Sequence, residues 1–333
     1  MKFTLICKGG VNTGLGHLHR TLSFVEDAKQ FADLTLIVIL DKGLEALFKD
    51  IANVSFIYSE ADLANALQSI DNSAENCIID CVDLNSDNQQ LLRNRFKKII
   101  SLSPVFNNYQ IIDVLFTRFT EHNYPSNVKV FSGLKYSIFN NNCRQISDYE
   151  YDKNVHEKSL TIAVSMGGVD APNKTLKILE ALARLEIDLT IWVLLGEGYS
   201  HSYQDLVDTI RRDSNHEIVL AKSNRSMWKI LSNCSLAIFA GGLTTFEAIF
   251  AGLPTINIFE KDIHQSIISK EIIEKNVSIN LGLLNDETLE TLKEKLKLFY
   301  NNRNELLRMR QNTKGLVDKK GSQLTIKKIL ELV

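Results

Sequence analysis

The sequence is most informative first in what it lacks. No run approaches the ~18–20 consecutive apolar residues that a membrane-spanning helix needs. Neither sign of charge is in excess: 38 Lys and Arg stand against 40 Asp and Glu, a formal net charge of −2. A basic groove built for a nucleic-acid backbone is therefore not expected. The five cysteines, Cys7, Cys77, Cys81, Cys143 and Cys234, form no C-x-x-C pair. They read as buried free thiols of a reducing, cytoplasmic environment. No His/Cys cluster has zinc-like spacing, so neither a structural metal nor a cofactor is expected. The opening MKFTLIC is an apolar strand without a signal-peptide layout.

What is present is a chain of 333 residues, 44% of them hydrophobic, long enough for about two domains. Short apolar runs alternate with amphipathic segments. LTLIVIL at 34–40 is continuous, as in a strand covered on both sheet faces. Strands are predicted at 2–8, 34–40, 54–58, 76–80, 98–102 and 110–115, with a helix at 17–31. The rhythm breaks between about 124 and 158, where Pro125, Gly133 and the polar SDYEYDKN read as a linker. It restarts with strands at 159–165, 189–195, 217–220, 236–240 and 254–259 and helices at 172–185, 203–212, 225–232 and 244–251. The stretch 287–333 is helical and rich in lysine. This is α/β logic: residues 1–150 and 158–333 as two Rossmann-like domains, parallel sheets facing a cleft.

Three glycine loops each follow a predicted strand and open a predicted helix, the context that gives such a motif meaning. The first runs from Gly9 to Arg20. Gly14 and Gly16 clear space for a ligand, and His17 falls at the helix start. There the helix dipole disfavours imidazolium by roughly 0.3–1 kcal/mol, leaving a neutral imidazole able to accept a proton. Arg20, one turn on, could orient His17 or hold an acidic ligand group; a cap or packing role for His17 is the bland alternative. The second loop, Ser165–Asp170, contains Gly167 and Gly168; Asp170 and Pro172 are helix-start signals. The third holds Gly241, Gly242, Leu243, Thr244, Thr245 and Glu247. A glycine pair entering a helix can cradle a diphosphate with backbone N–H groups and hydroxyls. Glu247 either accepts from ribose hydroxyls or forms a capping box with Thr244.

At these loops the sequence resembles the UDP-sugar hydrolases of pseudaminic acid biosynthesis and their spore-coat polysaccharide relatives, within the GT-B superfamily. Gly14, Gly16, His17 and Arg20 match the G-x-G-H-x-x-R segment. Gly167, Gly168, Asn224, Met227, Gly241, Gly242, Thr244, Thr245, Glu247, Gly252 and Pro254 also match. Gln265 corresponds to the glutamine of an N-Q pair, with His264 replacing the asparagine. Val317-Asp318…Gly321 resembles a terminal D-G-x-G signature. The resemblance implies UDP held by the second half, with His17 as base on a water that attacks the anomeric carbon of a diacetamido-trideoxyhexose. Departures cluster in the first half. A D-x-Y-G-like segment is Asp80-Cys81-Val82-Asp83, so that Asp80 is kept as a substrate-binding candidate and the tyrosine is lost. An Arg-x-Asp is Ile6-Cys7-Lys8, and a Y-A-L-L-R segment is Tyr136-Ser137-Ile138-Phe139. The rival expectations are a glycosyltransferase passing the sugar to a glycan and a non-catalytic sugar-nucleotide-binding partner in such a pathway. A nicotinamide-dependent dehydrogenase is disfavoured, because His19 stands where G-x-G-x-x-G needs glycine.

Overall fold

A computed structural model describes residues 1–11, 13–70, 73–104, 109–118, 124–222, 227–259 and 270–333. Thirteen strands among these residues form two sheets. The first contains β1 (Lys2–Lys8), β2 (Asp33–Ile39), β3 (Val54–Ile57), β4 (Asn76–Asp80), β5 (Lys98–Ser101), β6 (Val114–Thr117) and β7 (Lys129–Ser132), in the order β3-β2-β1-β4-β5-β6-β7. The second contains β8 (Leu160–Ser165), β9 (Leu189–Leu195), β10 (Glu217–Lys222), β11 (Leu236–Phe239), β12 (Thr255–Phe259) and β13 (Ser278–Leu283), in the order β10-β9-β8-β11-β12-β13. Every pairing is parallel. Helices join the strands, so the sheet residues are covered and the continuous apolar runs become core. Leu36, Ile37 and Val38 are fully buried, as are Ile162 and Ala163 in the second sheet.

Both sheets reverse their strand order once, between β1 and β4 in the first and between β8 and β11 in the second. At such a point the loops leaving two adjacent strands run in opposite directions and open a crevice at the carboxyl ends, where ligands of open α/β sheets sit. The three glycine loops follow β1, β8 and β11. Each therefore lies at a switch point.

The compact units are Met1–Phe139 with Asp318–Val333, and Asn140–Val317. This differs from the expected 1–150 and 158–333 in two respects. The last helix, Gly321–Leu332, packs in the first unit against the helix Gly16–Ala28 and the single turn Leu134–Tyr136. Gly321 permits this: a Cβ there would run into the carbonyl oxygens of Ser137 and Lys135. The altered segment at Tyr136 and the matched one at Gly321 thus meet as packing. The expected linker also contains ordered elements, β7 and the helix Asp148–Val155. Ser147 and Glu150 form a reciprocal capping box there, so the polar patch was a helix start rather than a loop.

Candidate functional site

In the first unit the site is built on the switch point between β1 and β4. The loop after β1 is pinched by a two-way backbone bridge between Gly10 and Gly14, with N–H···O distances of 3.2 and 2.7 Å. Gly14 sits at φ +80°, a conformation that favours glycine. The chain then enters the helix at Gly16, placing His17 in the first turn and Arg20 one turn along the same face.

Both side chains converge on Asp80, the last residue of β4, which pairs in register with Cys7 of β1. Asp80 is 0% exposed. Its Oδ1 accepts from His17 Nδ1 at 2.6 Å and Ser103 Oγ at 3.2 Å. Its Oδ2 accepts from Arg20 Nε at 2.9 Å and Thr21 Oγ1 at 3.2 Å. Arg20 Nη2 also donates to Oδ1, making the guanidinium contact bidentate. Burial alone would raise the Asp80 pKa, but Arg20 and His17 together hold it well below the usual carboxylate range. Where a substrate contact was expected, Asp80 is fully buried and both its oxygens are taken up by protein donors behind the histidine. Arg20, 4% exposed, belongs to the same buried anchor.

His17 Nδ1 faces Asp80 Oδ1 at 2.6 Å and Arg20 Nη2 at 2.9 Å. Arg20 Nη2 already donates to Asp80 Oδ1, and the ionised carboxylate favours the tautomer in which Nδ1 donates to it and Nε2 accepts a proton. The side chain remains 15% exposed. Burial lowers its pKa; Asp80 offsets part of that, while Arg20 and Arg118 add to the lowering. The helix N-terminus acts in the same direction. A neutral imidazole at pH 7 in this tautomer is suited to general-base work. Arg118, just beyond β6, was missed by the sequence reading. Its own pKa is lowered by burial and by Arg20.

Two of the departures in the first unit find each other. Lys8 forms ion pairs with Glu60 and, at 2.6 Å, with Asp83. Burial opposes the lysine's charge, and the two carboxylates outweigh it, raising its pKa.

In the second unit the switch point between β8 and β11 gathers two glycine loops. Gly167 sits at φ +92° and is exposed; Gly168 is half-buried. A turn that the sequence reading passed over packs on them. Gly198 N–H donates to Gly168 O at 2.8 Å, and a Cβ on Gly196 would strike both loop carbonyls. The helix expected from Pro172 begins at Lys174 instead. Asp170 caps it, accepting from the N–H groups of Lys174 and Thr175 at 2.8 Å each.

After β11, Gly241 takes φ +75° and lies against the Phe259 ring, which leaves no room for a Cβ. Gly242 is the N-cap of the helix Leu243–Ala251, which carries no side-chain cap and no acid in its first turn. Gly242 is exposed, and Gly241, Leu243 and Thr244 are half-buried. The first N–H groups of a helix have no intrahelical acceptor, so this end offers donors and a favourable dipole to an anion.

Two expected contacts differ. Thr245 is 0% exposed and donates to Asn257 Oδ1 at 2.8 Å, so its hydroxyl faces the protein. Glu247 is 5% exposed. It accepts from the Asn140 N–H at 3.0 Å and from Trp228 Nε1 at 3.2 Å. A capping box with Thr244 does not describe that arrangement, because the N-cap is Gly242 and the carboxylate accepts from Asn140 and Trp228. Burial pushes the Glu247 carboxyl up to about 7, against the lowering by Asn140 and Trp228. Met227 is half-buried and precedes the short helix Trp228–Leu231. Asn224, His264 and Gln265 lie outside the described residues.

Among the described residues, no group of three or more His, Cys, Asp or Glu side chains is arranged to hold a metal ion. No helix among them is long and apolar enough to cross a membrane.

No family model matches the chain. It is 28% identical over 281 residues to the uncharacterized protein MJ1062 of Methanocaldococcus jannaschii, covering 80% of this chain and 57% of that protein. It is 24% identical over 203 residues to the spore coat polysaccharide biosynthesis protein SpsG of Bacillus subtilis, covering 59% and 56%. The chain thus spans little more than half the length of these curated relatives. Among solved structures, MurG of Acinetobacter baumannii superposes with a TM-score of 0.70 at 17% identity, covering 99% of this chain and 100% of that one. The UDP-GlcNAc 2-epimerase of Neisseria meningitidis, bound to UDP-GlcNAc, gives 0.65 at 10% identity, covering 99% and 100%. The architecture of two parallel α/β sheets, of seven and six strands, is that of the GT-B fold.

Proposed function

We propose that the chain is an enzyme acting on a UDP-sugar, and that it hydrolyses a UDP-linked diacetamido-trideoxyhexose to UDP and the free sugar for nonulosonic acid or surface-polysaccharide synthesis. The observation that carries the reading is the Asp80–His17 pair: it favours Nδ1 as donor to the carboxylate, and the proposal takes Nε2 as the base. The uncapped glycine entry to Leu243–Ala251 supports the nucleotide half. The fold shared with a structure holding UDP-GlcNAc and the likeness to a polysaccharide biosynthesis protein support the substrate class.

In the proposed step His17 Nε2 takes a proton from water as the water oxygen attacks the anomeric carbon. The bond from that carbon to the diphosphate oxygen breaks, its electron pair leaves with UDP, and the configuration inverts. Asp80 stabilises the imidazolium formed. The backbone N–H groups at Gly242–Thr244 take up charge developing on the diphosphate. General-base help of this kind contributes ~10²–10⁴ in rate.

A second reading, transfer of the sugar to a glycan hydroxyl, uses the same base. The Lys8–Asp83 ion pair favours it, since it alters the half of the protein that would choose between water and an acceptor. The test is incubation with UDP-diacetamido-trideoxyhexoses, with UDP and free sugar followed by NMR. UDP release without any acceptor, reduced ~10²–10⁴-fold in His17→Ala, is the expected result. Release only after a glycan is added would replace hydrolysis by transfer. UDP binding without turnover in either case would leave a binding protein.

A further inference from the structure

Beneath the uncapped start of Leu243–Ala251 lies a polar network in an otherwise apolar layer. Thr245 Oγ1 donates to Asn257 Oδ1 at 2.8 Å. Asn257 Nδ2 donates to Ser278 Oγ at 2.6 Å and to Asn280 Oδ1 at 2.8 Å. Thr255 Oγ1 donates to Ser278 Oγ at 2.8 Å. Thr245, Thr255 and Asn257 are completely buried, and Ser278 nearly so. The sheet register explains the gathering. Thr255 pairs with Ser278 and Asn257 with Asn280 across β12 and β13, and residues two apart on a strand share a face. The four strand residues therefore form one polar strip, with Thr245 resting on it from the helix.

Such a strip is costly to bury unless each group is satisfied, and a satisfied network fixes geometry in return. What it fixes here is the first turn of the helix. That turn closes with Thr245 N–H on Gly242 O at 3.2 Å and is not anchored by a capping side chain. Gly241 and Gly242 give the backbone more freedom than any other pair would. A site made of backbone donors binds an anion well only if those donors are already aimed.

We propose that Thr245 and Asn257 are positioning residues for a diphosphate. Their hydrogen bond locks the turn so that the N–H groups of Gly242, Leu243 and Thr244 stay aimed at the anion, although neither side chain touches it. This deepens the nucleotide reading and rests on it for the identity of the ligand. It predicts a split that a purely structural role would not produce: the diphosphate part of the affinity falls while the nucleoside part stays.

The experiment is calorimetry on the full chain with UDP, uridine and inorganic pyrophosphate, using wild type, Thr245→Val, Thr245→Ala and Thr245→Ser. Valine keeps the shape and deletes the hydroxyl; alanine serves if valine does not fold; serine restores the bond. UDP and pyrophosphate should weaken about tenfold in Thr245→Val, the worth of roughly one hydrogen bond. Uridine should be unchanged, and Thr245→Ser should behave as wild type. Hydrogen exchange of the 241–245 amides without ligand should quicken in Thr245→Val. Equal loss for uridine and UDP, or unchanged UDP affinity, overturns the proposal. Wild type that binds pyrophosphate but not UDP overturns the nucleotide reading and leaves the positioning role standing; binding of neither overturns both.

Discussion

Asp80 in the first unit and Glu247 in the second are both buried carboxylates at switch-point loops, yet the protein treats them in opposite ways. Asp80 accepts from five donor atoms, three of them on Arg20 and His17. Glu247 accepts from one backbone amide and one indole, both neutral. Pairing keeps Asp80 ionised despite burial, while burial without a cation leaves Glu247 close to neutralisation at about 7. The difference separates two ways of building a site. The first unit concentrates charge to orient one imidazole. In the second, the helix after β11 starts at Gly242 with no side-chain cap and no acid in its first turn, so what it offers an anion is backbone donors and the helix end.

The comparison is broken most forcefully at Asp80. Asp80→Ala leaves Arg20 buried without its carboxylate, a loss of the kind that costs about 3–5 kcal/mol. A large drop in the denaturation midpoint of the first unit is expected, while UDP affinity, assigned to the second, holds. A change of less than 1 kcal/mol would show that the cluster is not the anchor described.

A smaller effect sharpens the other side. The Glu247 pKa is raised in the folded state, so its stabilising contribution is fully present below the unfolded carboxyl value of ~4.3 and is lost as pH rises through about 7. Glu247→Gln should flatten stability between those limits, removing a dependence of at most about one proton. Asp80 has the opposite sign. Its pKa is depressed, so its contribution is present above the unfolded value and lost as pH falls toward the folded one. Denaturation curves from pH 4 to 8 check Glu247, and curves carried below pH 4 check Asp80: a Glu247→Gln curve parallel to wild type would deny the neutral carboxyl its role.

The sequence made one layer of this legible and hid another. Glycine loops after apolar strands are local patterns, and they fell on both switch points. His17 and Arg20 are three apart on one helix, so their neighbourhood could be read directly. Asp80 is sixty-three residues from His17, and only the β1–β4 pairing brings it there. Its place in a matched segment suggested substrate; its burial was invisible. Asn257 and Ser278 look like polar interruptions of apolar strands until the β12–β13 register aligns them. Thr245 and Glu247 sit in a motif that invites ligand roles, but helix periodicity turns both toward the protein. The helix Asp148–Val155 was hidden by composition: its capping box is made of residues that also make loops.

The most direct test of the central claim is the ¹⁵N-resolved titration of the His17 side chain in the folded chain. The account predicts a neutral ring at pH 7, protonated on Nδ1, with a pKa below the ordinary histidine value of ~6.5. In Asp80→Asn the Nδ1 preference should weaken. A ring that is cationic at pH 7, or neutral with its proton on Nε2, would contradict the assignment of His17 as the base.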